Sequence, residues 1–506
     1  MSSIYNKNSA RQPKTQKTHG LGKFSVSILA AAMLALPVAS WAQSTGAANI
    51  SNAASNVASN ATAKSFDDAL TDYFKAEMPG ATVIVTRDGK TLFRKAYGLA
   101  DVEHKTVLQP DMMMRIGSIT KQFTAVAILQ LVEAGKLSLN DDLGSVLPAF
   151  PAKGQKITIE HLLTHSSGIK NFLAMPGFGD IADKPMTVAE MLDFFKNEPL
   201  EFAPGEHFAY SNSGYFLLGL IIEKISGLSY GDYLAQQVFS PLNMRHTAFE
   251  GRERDAQRRV EGYVRGSNGI QKASPISANI GYAAGALVST VDDLALWDQA
   301  IAENKLLKPA SWQQALRPHV LNDGKSSNYG FGWMSIKIQG VAANAHDGII
   351  PGFNSFVMRI PEQKVFVAVL SNDGRLNPNS AYMAEKIAAI AIGKPFPEYK
   401  AIQLAPEVLD QVVGVYKINA KEDRIVSRTG SQVFIQRSGK SKMEILPYSV
   451  SEFFVKDSPA RIHMRFEKNA NGEVTQMVLV QNQEESISPR TSNQVPTSAG
   501  TPGGGG

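Results

Sequence analysis

In the stretch RIGSITKQFTAVAILQLVEAGK, Arg115 to Lys136, Ser118 and Lys121 stand three residues apart, a spacing that brings both side chains to one face of a helix. A serine hydroxyl becomes an effective nucleophile when a neighbouring base takes its proton, and lysine can act as that base only when neutral. Bringing a lysine from about 10.4 towards 7 costs on the order of 4 to 5 kcal/mol. A helix N-terminus contributes about 2 kcal/mol at most, so desolvation must provide the rest. The dry setting is present: Phe123 to Val132 are apolar on nearly every face, with little more than Gln130 interrupting, and Gly135 ends the run. The first turn of such a helix also has unpaired backbone N–H groups, so the Ser118 amide is placed to donate to a developing oxyanion.

Spacing alone decides nothing, because a second Ser-x-x-Lys occurs at Ser167 and Lys170 in the glycine-containing turn HSSGIKNF. Taken in isolation, Ser118 also reads as an N-cap with Lys121 as a snorkelling lysine. Two further segments favour chemistry. FAYSNSGYFLLGLIIEKISG puts Tyr210, Ser211 and Asn212 just ahead of another apolar helix, with Tyr210 able to relay a proton and Asn212 able to orient an amide. AHDGIIPGFNSF puts His346, Asp347 and Gly348 at a strand end, where Gly348 lets a substrate backbone approach closely. Other patterns read as structural. His161 and His165 in HLLTH have the i, i+4 spacing of zinc proteases, but Leu162 stands where such a site needs a glutamate, so no metal is expected. Thr290 and Asp293 read as a capping box, and Met112, Met113 and Met114 as adaptable packing.

These segments need a scaffold, and 506 residues with 43% hydrophobic and 19% charged content suffice for a large core and more than one domain. The formal charge of +5 resides in Lys7, Arg11, Lys14, Lys17 and Lys23, within a segment that has no acidic residue before residue 42. The remainder is formally neutral, which gives no electrostatic case for nucleic acid or anionic membranes as partners. Lys23, the apolar run Phe24 to Leu36, Pro37 and the small-residue pattern ending at Ala42 have the order of a secretory signal cleaved after Ala42. The run is short for a bilayer, so a periplasmic or secreted chain without stable membrane insertion is expected. Zero cysteines exclude disulfides, thiol chemistry and a lipid-modified cysteine.

Residues 43–64, rich in Ala, Asn and Ser, read as a disordered lead-in. SFDDALTDYFKAE reads as an amphipathic helix, and ATVIVTRDGKTLFRKAYGLAD as two strands turning at Asp88-Gly89. A helix-rich stretch occupies roughly 112 to 310. Strands return in WMSIKIQG and in SFVMRIPEQKVFVAVLSND, so one sheet is completed by distant segments and covered by helices, with a helical lobe beside it. Pro395 and Pro397 mark a boundary, after which residues 406–488 alternate as a small all-β domain with a turn at Asn471-Gly472, and 489–506 read as a disordered tail.

Together, Ser118-Ile-Thr-Lys121, Tyr210-Ser-Asn212 and His346-Asp-Gly348 match in order and rough spacing the three motifs of the serine β-lactamase and penicillin-binding superfamily. ITIEHLLTHSSGI, PLNMRHTAF and AAGALVSTVDDLALW resemble its class C-like branch, which includes D-aminopeptidases, alkaline D-peptidases and carboxylesterases. The resemblance covers roughly residues 66 to 395 and implies an α/β (α+β) β-lactamase/transpeptidase-like fold over 65–397, with an antiparallel sheet flanked by helices. It implies that Ser118 is acylated, that Lys121 and Tyr210 share proton transfer as a coupled pair, and that Asn212 holds the substrate amide or positions Lys121. The Ser118 and Ile349 amides would form the oxyanion hole, and His346 and Gly348 would contact substrate. Many β-lactamases carry lysine where this chain has His346, and losing that permanent cation disfavours anionic β-lactams. The resulting expectation is a cofactor-free exported hydrolase forming an acyl-enzyme on an amide or ester, with a small-molecule or peptide substrate of the kind cell walls supply. The alternatives are a β-lactamase or D-alanyl-D-alanine carboxypeptidase, and a non-catalytic binder of peptidoglycan or β-lactams.

Overall fold

The computed structural model describes residues 63–495 apart from 152, 267–268, 377–378, 457–461 and 482–483. The signal segment, most of the lead-in and residues 496–506 therefore lie outside the described residues. The described residues open in helix, 63–70, which reaches into the segment read as lead-in. Its Phe66 and Leu70 are buried against the sheet, and that burial holds the first turn in place.

The sheet has six antiparallel strands: β1 Ala81–Arg87, β2 Lys90–Tyr97, β3 Met334–Ile338, β4 Val341–Ile350, β5 Phe353–Ile360 and β6 Val365–Ser371. Their spatial order is β3-β4-β5-β6-β1-β2. The two halves of the chain join where β1 pairs with β6, from Ala81 opposite Ser371 to Arg87 opposite Val365. The β1–β2 turn uses Asp88 and Gly89, both at positive φ, a two-residue hairpin geometry that matches the strand twist. β1 is an interior strand buried on both faces from Ala81 to Thr86, which explains why Val83, Ile84 and Val85 follow one another without polar alternation. Ala81, Val83 and Val85 pack with Met383 and Ile387 of the helix Ser380–Ala391, while Ile84 joins the cluster on the other face that includes Leu294 and Trp297.

That second cluster is the helical lobe. At its centre runs α1, Thr120–Glu133, whose residues from Thr120 to Leu129 are all buried. Helix α2, Asn212–Ser226, lies beside it and is equally submerged from Asn212 to Gly219. A helix apolar all round is an interior helix, and both owe their burial to being enclosed by neighbours.

Eight strands, from Gly414–Lys417 to Glu484–Ser492, close into a barrel. Its interior is filled by side chains including Tyr416, Phe453, Phe466 and Met477. The last strand runs past residue 488, where the tail was expected to begin. It must pair with its predecessor and also reach the first strand, Val415 opposite Ser492 and Tyr416 opposite Arg490, for the barrel to close. At Asn471-Gly472 only Gly472 has positive φ; the turn is wider, with Asn469 accepting from the amides of Asn471 and Glu473.

Candidate active site

Ser118 lies in a single 3-10 turn, Gly117–Ile119, immediately before α1. It is not an N-cap: that position belongs to Ile119, which makes no side-chain capping bond. Lys121 is fully buried, and its Nζ lies 3.0 Å from Ser118 Oγ, 2.8 Å from Asn212 Oδ1 and 2.8 Å from the Ala284 carbonyl oxygen. Asn212 Oδ1 and the carbonyl can only accept. A neutral amine has two N–H donors and one lone pair, so these two acceptors use both donors and leave the lone pair for the Ser118 hydroxyl. Burial pushes the Lys121 ammonium well below the ordinary lysine value, against the opposing pull of the Asp347 carboxylate.

Each partner of Lys121 has a local cause. Asn212 is the first residue of α2, whose N-cap Ser211 accepts from the Gly214 amide, and its Nδ2 donates to Asn171 Oδ1 at 3.3 Å, turning Oδ1 to the lysine. The helix Ala278–Gly285 is broken at Tyr282, with φ 39° and ψ −130°. Beyond the break, two carbonyls are open to side chains of α1: Thr124 Oγ1 donates to Ala283 at 2.7 Å and Lys121 donates to Ala284. The backbone break has no residue-type signature, which is why Ala284 was not read from the sequence.

The Tyr210 ring lies under Lys121, with Nζ 4.8 Å from its centroid. Its hydroxyl is buried beside the Ser118 hydroxyl without forming a hydrogen bond of ordinary geometry. Burial raises the phenol far above its ordinary value, with the Ser118 hydroxyl opposing the shift. Both members of the lysine–tyrosine pair are therefore pushed towards neutrality.

β3 pairs with β4 only as far as Ala345, and beyond it the edge of β4 faces the turn carrying Ser118. A Cβ on Gly117, which has φ of +52°, would lie 2.9 Å from the Ile349 amide nitrogen. The Ser118 and Ile349 backbones are thus brought together. Gly348 has a different reason from the one expected: a Cβ there would sit 1.9 Å from the Ile116 carbonyl oxygen, so the protein's own backbone makes the close approach. His346 also departs from expectation. It is completely buried, with Nδ1 2.6 Å from the Asp347 carbonyl oxygen and Nε2 2.8 Å from the Tyr329 hydroxyl, so both nitrogens are engaged inside the protein. Burial, resisted by Asp347, pushes it down to about 4, and it stays neutral at physiological pH.

Ser118, Asn212 and Ile349 line a cleft of about 230 Å³. Its walls are mainly apolar, including Phe172, Phe178 and Ile276, and Leu173 and Ile349 stand exposed at its rim. Asp183 lies in the lining, and among the described residues neither lysine nor arginine does.

The other candidate patterns come apart in space. The helix carrying His161 ends at Leu163, so His161 and His165 do not share a face; His161 Nδ1 accepts from the Thr158 amide and His165 Nδ1 from the Ser211 amide. Ser167 Oγ accepts from the Ile169 amide, and Lys170 pairs with Glu198. Thr290 caps its helix as expected, but the Asp293 carboxylate accepts from Thr247 and the His246 amide, joining two segments instead of closing a capping box. Met113 and Met114 are buried and Met112 packs beside them.

A family model described as Beta-lactamase matches residues 61–392. The chain belongs to the beta-lactamase family. This beta-lactamase-family chain is 28% identical over 399 residues to penicillin-binding protein 4* of Bacillus subtilis (strain 168), covering 74% of the chain and 87% of that protein. The octameric penicillin-binding protein homologue from Pyrococcus abyssi superposes with a TM-score of 0.60 at 26% identity, over 85% of this chain and 99% of that one. D-amino acid amidase from Ochrobactrum anthropi SV3, in complex with L-phenylalanine, superposes with a TM-score of 0.55 at 25% identity, over 66% and 96% of the two chains. The fold common to the beta-lactamase family thus accounts for the sheet and helical lobe, and the family's members support a serine hydrolase.

Proposed function

We propose that this protein is an exported serine hydrolase that forms an acyl-enzyme at Ser118 and cleaves amide or ester bonds, D-aminoacyl compounds and carboxylic esters being the substrate classes. The observation that carries the reading is the buried Lys121 amine, bonded to Ser118 Oγ and to two obligate acceptors. Ser118 Oγ passes its proton to Lys121 Nζ as it bonds to the substrate carbonyl carbon. The carbonyl oxygen takes the negative charge and receives hydrogen bonds from the Ser118 and Ile349 amides. Tyr210, held as a neutral phenol by burial, donates its proton to the leaving nitrogen or oxygen as that bond breaks, and the Lys121 ammonium reprotonates the phenolate. Water then repeats the sequence on the ester.

A fluorophosphonate should label Ser118 in the native protein and leave Ser118→Ala unlabelled; failure of fluorophosphonates, nitrophenyl esters and β-lactams alike to acylate Ser118 would sink the proposal. Penicillin-binding relatives favour β-lactam acylation as the second reading. Against it, the cleft lining among the described residues includes Asp183 and neither lysine nor arginine to meet an anionic ligand. Comparing nitrocefin turnover with D-aminoacyl nitroanilides and nitrophenyl esters separates the two, and the same panel with no turnover after acylation would mark a binder.

A further inference from the structure

His165 belongs to a motif that neither metal binding nor the acylation steps absorb, yet it lies against the residues that carry them. Its ring centroid is 4.2 Å from that of Tyr210, 5.0 Å from Tyr215 and 4.8 Å from Tyr329. It is 1% exposed. Nδ1 accepts from the Ser211 amide at 3.1 Å, which places the proton on Nε2, and that N–H is buried with no acceptor among the described residues. The backbone is unusual as well: His165 has φ of +58°, a left-handed conformation costing on the order of 1 kcal/mol for a side-chain-bearing residue. The cost is met by bonds on both sides, with the Ala209 amide donating to the His165 carbonyl and the Ser166 amide to the His161 carbonyl. A strained, doubly tethered residue with an unused buried donor, its ring packed at a tilt against the Tyr210 phenol, is more than core filling.

We propose that His165 is the positioning residue for the Tyr210–Ser211–Asn212 segment: it anchors the segment through Nδ1 and, by close tilted ring-to-ring packing, holds the Tyr210 ring beneath Lys121 without touching substrate. The proposal rests on the acylation chemistry above. Geometry makes His165 the shared support of both proton-transfer partners, because the tyrosine ring packs against it and Asn212, which takes a Lys121 donor, follows the residue it anchors. Neutrality suits this role. Burial, with Lys121 and His346 nearby, holds the imidazole well below its ordinary value, so it adds no charge beside the lysine. The ionisable groups facing the cage are Lys121, Tyr210, Tyr215, Tyr329 and His346, with Asp347 acting on Lys121 and Tyr210.

The test compares His165→Asn with His165→Ala in the full-length mature protein, using the rate of Ser118 labelling by a fluorophosphonate and the kcat and KM of an ester substrate. Asparagine tolerates positive φ and can accept from the Ser211 amide but supplies no ring. His165→Asn should fold with a Tm within a few degrees of native, lower kcat about 10- to 100-fold with KM nearly unchanged, and move the acidic limb of the pH–rate profile upwards, because water reaching Lys121 restores its basicity. His165→Ala should be slower still. Equal kcat and an unmoved limb in a folded His165→Asn would overturn the proposal while native labelling of Ser118 left the hydrolase reading intact; absent native labelling would instead remove that reading. Should both variants fail to fold, selective ¹⁵N-histidine NMR of the native protein decides. The expected spectrum has His165 as the Nε2–H tautomer, unchanged between pH 6 and 9 and shifted on acylation; an Nδ1–H tautomer, or no shift on acylation, would refute the assignment.

Discussion

Ser118/Lys121 and Ser167/Lys170 have the same sequence spacing, and they occupy opposite environments. Lys121 is fully buried with its amine on the serine and two acceptors, whereas Lys170 is partly exposed and its amine goes to Glu198 at 3.1 Å. Ser118 stands in a turn at the mouth of an interior helix; Ser167 spends its oxygen on the Ile169 amide two residues away. A pair three residues apart becomes a candidate nucleophile and base only where the surroundings strip water from the amine and leave its lone pair a single donor to meet. Water and a carboxylate hold the other lysine in an ordinary ion pair.

The contrast can be broken most directly at the hydroxyls. Ser118→Ala should lower ester turnover by at least about 10³-fold, while Ser167→Ala should leave it within about twofold; a large loss in Ser167→Ala would reverse the assignment. At the amines, Lys121→Met should cost about 10²- to 10⁴-fold in kcat, against a change below about threefold for Lys170→Met. Both are read from initial rates with the fold checked by circular dichroism.

Acidity sharpens the difference further. Because the folded-state value of Lys121 is depressed below that of the unfolded chain, the unfolded chain holds the extra proton between the two values, and the native protein gains stability as pH rises through that window. The slope is at most about 1.4 kcal/mol per pH unit. Urea unfolding at pH 7 and pH 9 should show the native protein gaining on Lys121→Met, and parallel curves would argue that the amine stays charged. Activity follows the same sign, falling as pH drops through the Lys121 value. The smallest effect belongs to the surface pair: Glu198→Gln should cost no more than about 1 kcal/mol, less at high salt, with kcat unaffected.

Much of the scaffold was legible in the chain. The DG turn between the strands β1 and β2, the all-round apolar α1 and the alternating C-terminal strands each carry a local pattern that points to one kind of element. Failures occurred where the deciding partner is remote in sequence. Gly348 was read as room for substrate, yet it accommodates the Ile116 carbonyl; His346 was read as facing the cleft, yet Tyr329 and the Asp347 carbonyl claim its nitrogens. The HLLTH spacing presumed a helix that stops two residues short of His165, and the last barrel strand outran its expected end because closure needs it to meet the first.

Residue order along the chain was enough to name the nucleophile, the amine, the phenol and the amide as candidates, because their types set the available chemistry and their neighbours set the helices and strands that carry them. Three-dimensional packing decided which of these groups are stripped of water and which of two equal spacings brings the amine onto its serine. Desolvation, a carbonyl freed by the break at Tyr282 and the imidazole of His165 packed against Tyr210 all come from segments tens to hundreds of residues away, and such long-range contacts have no local signature to read.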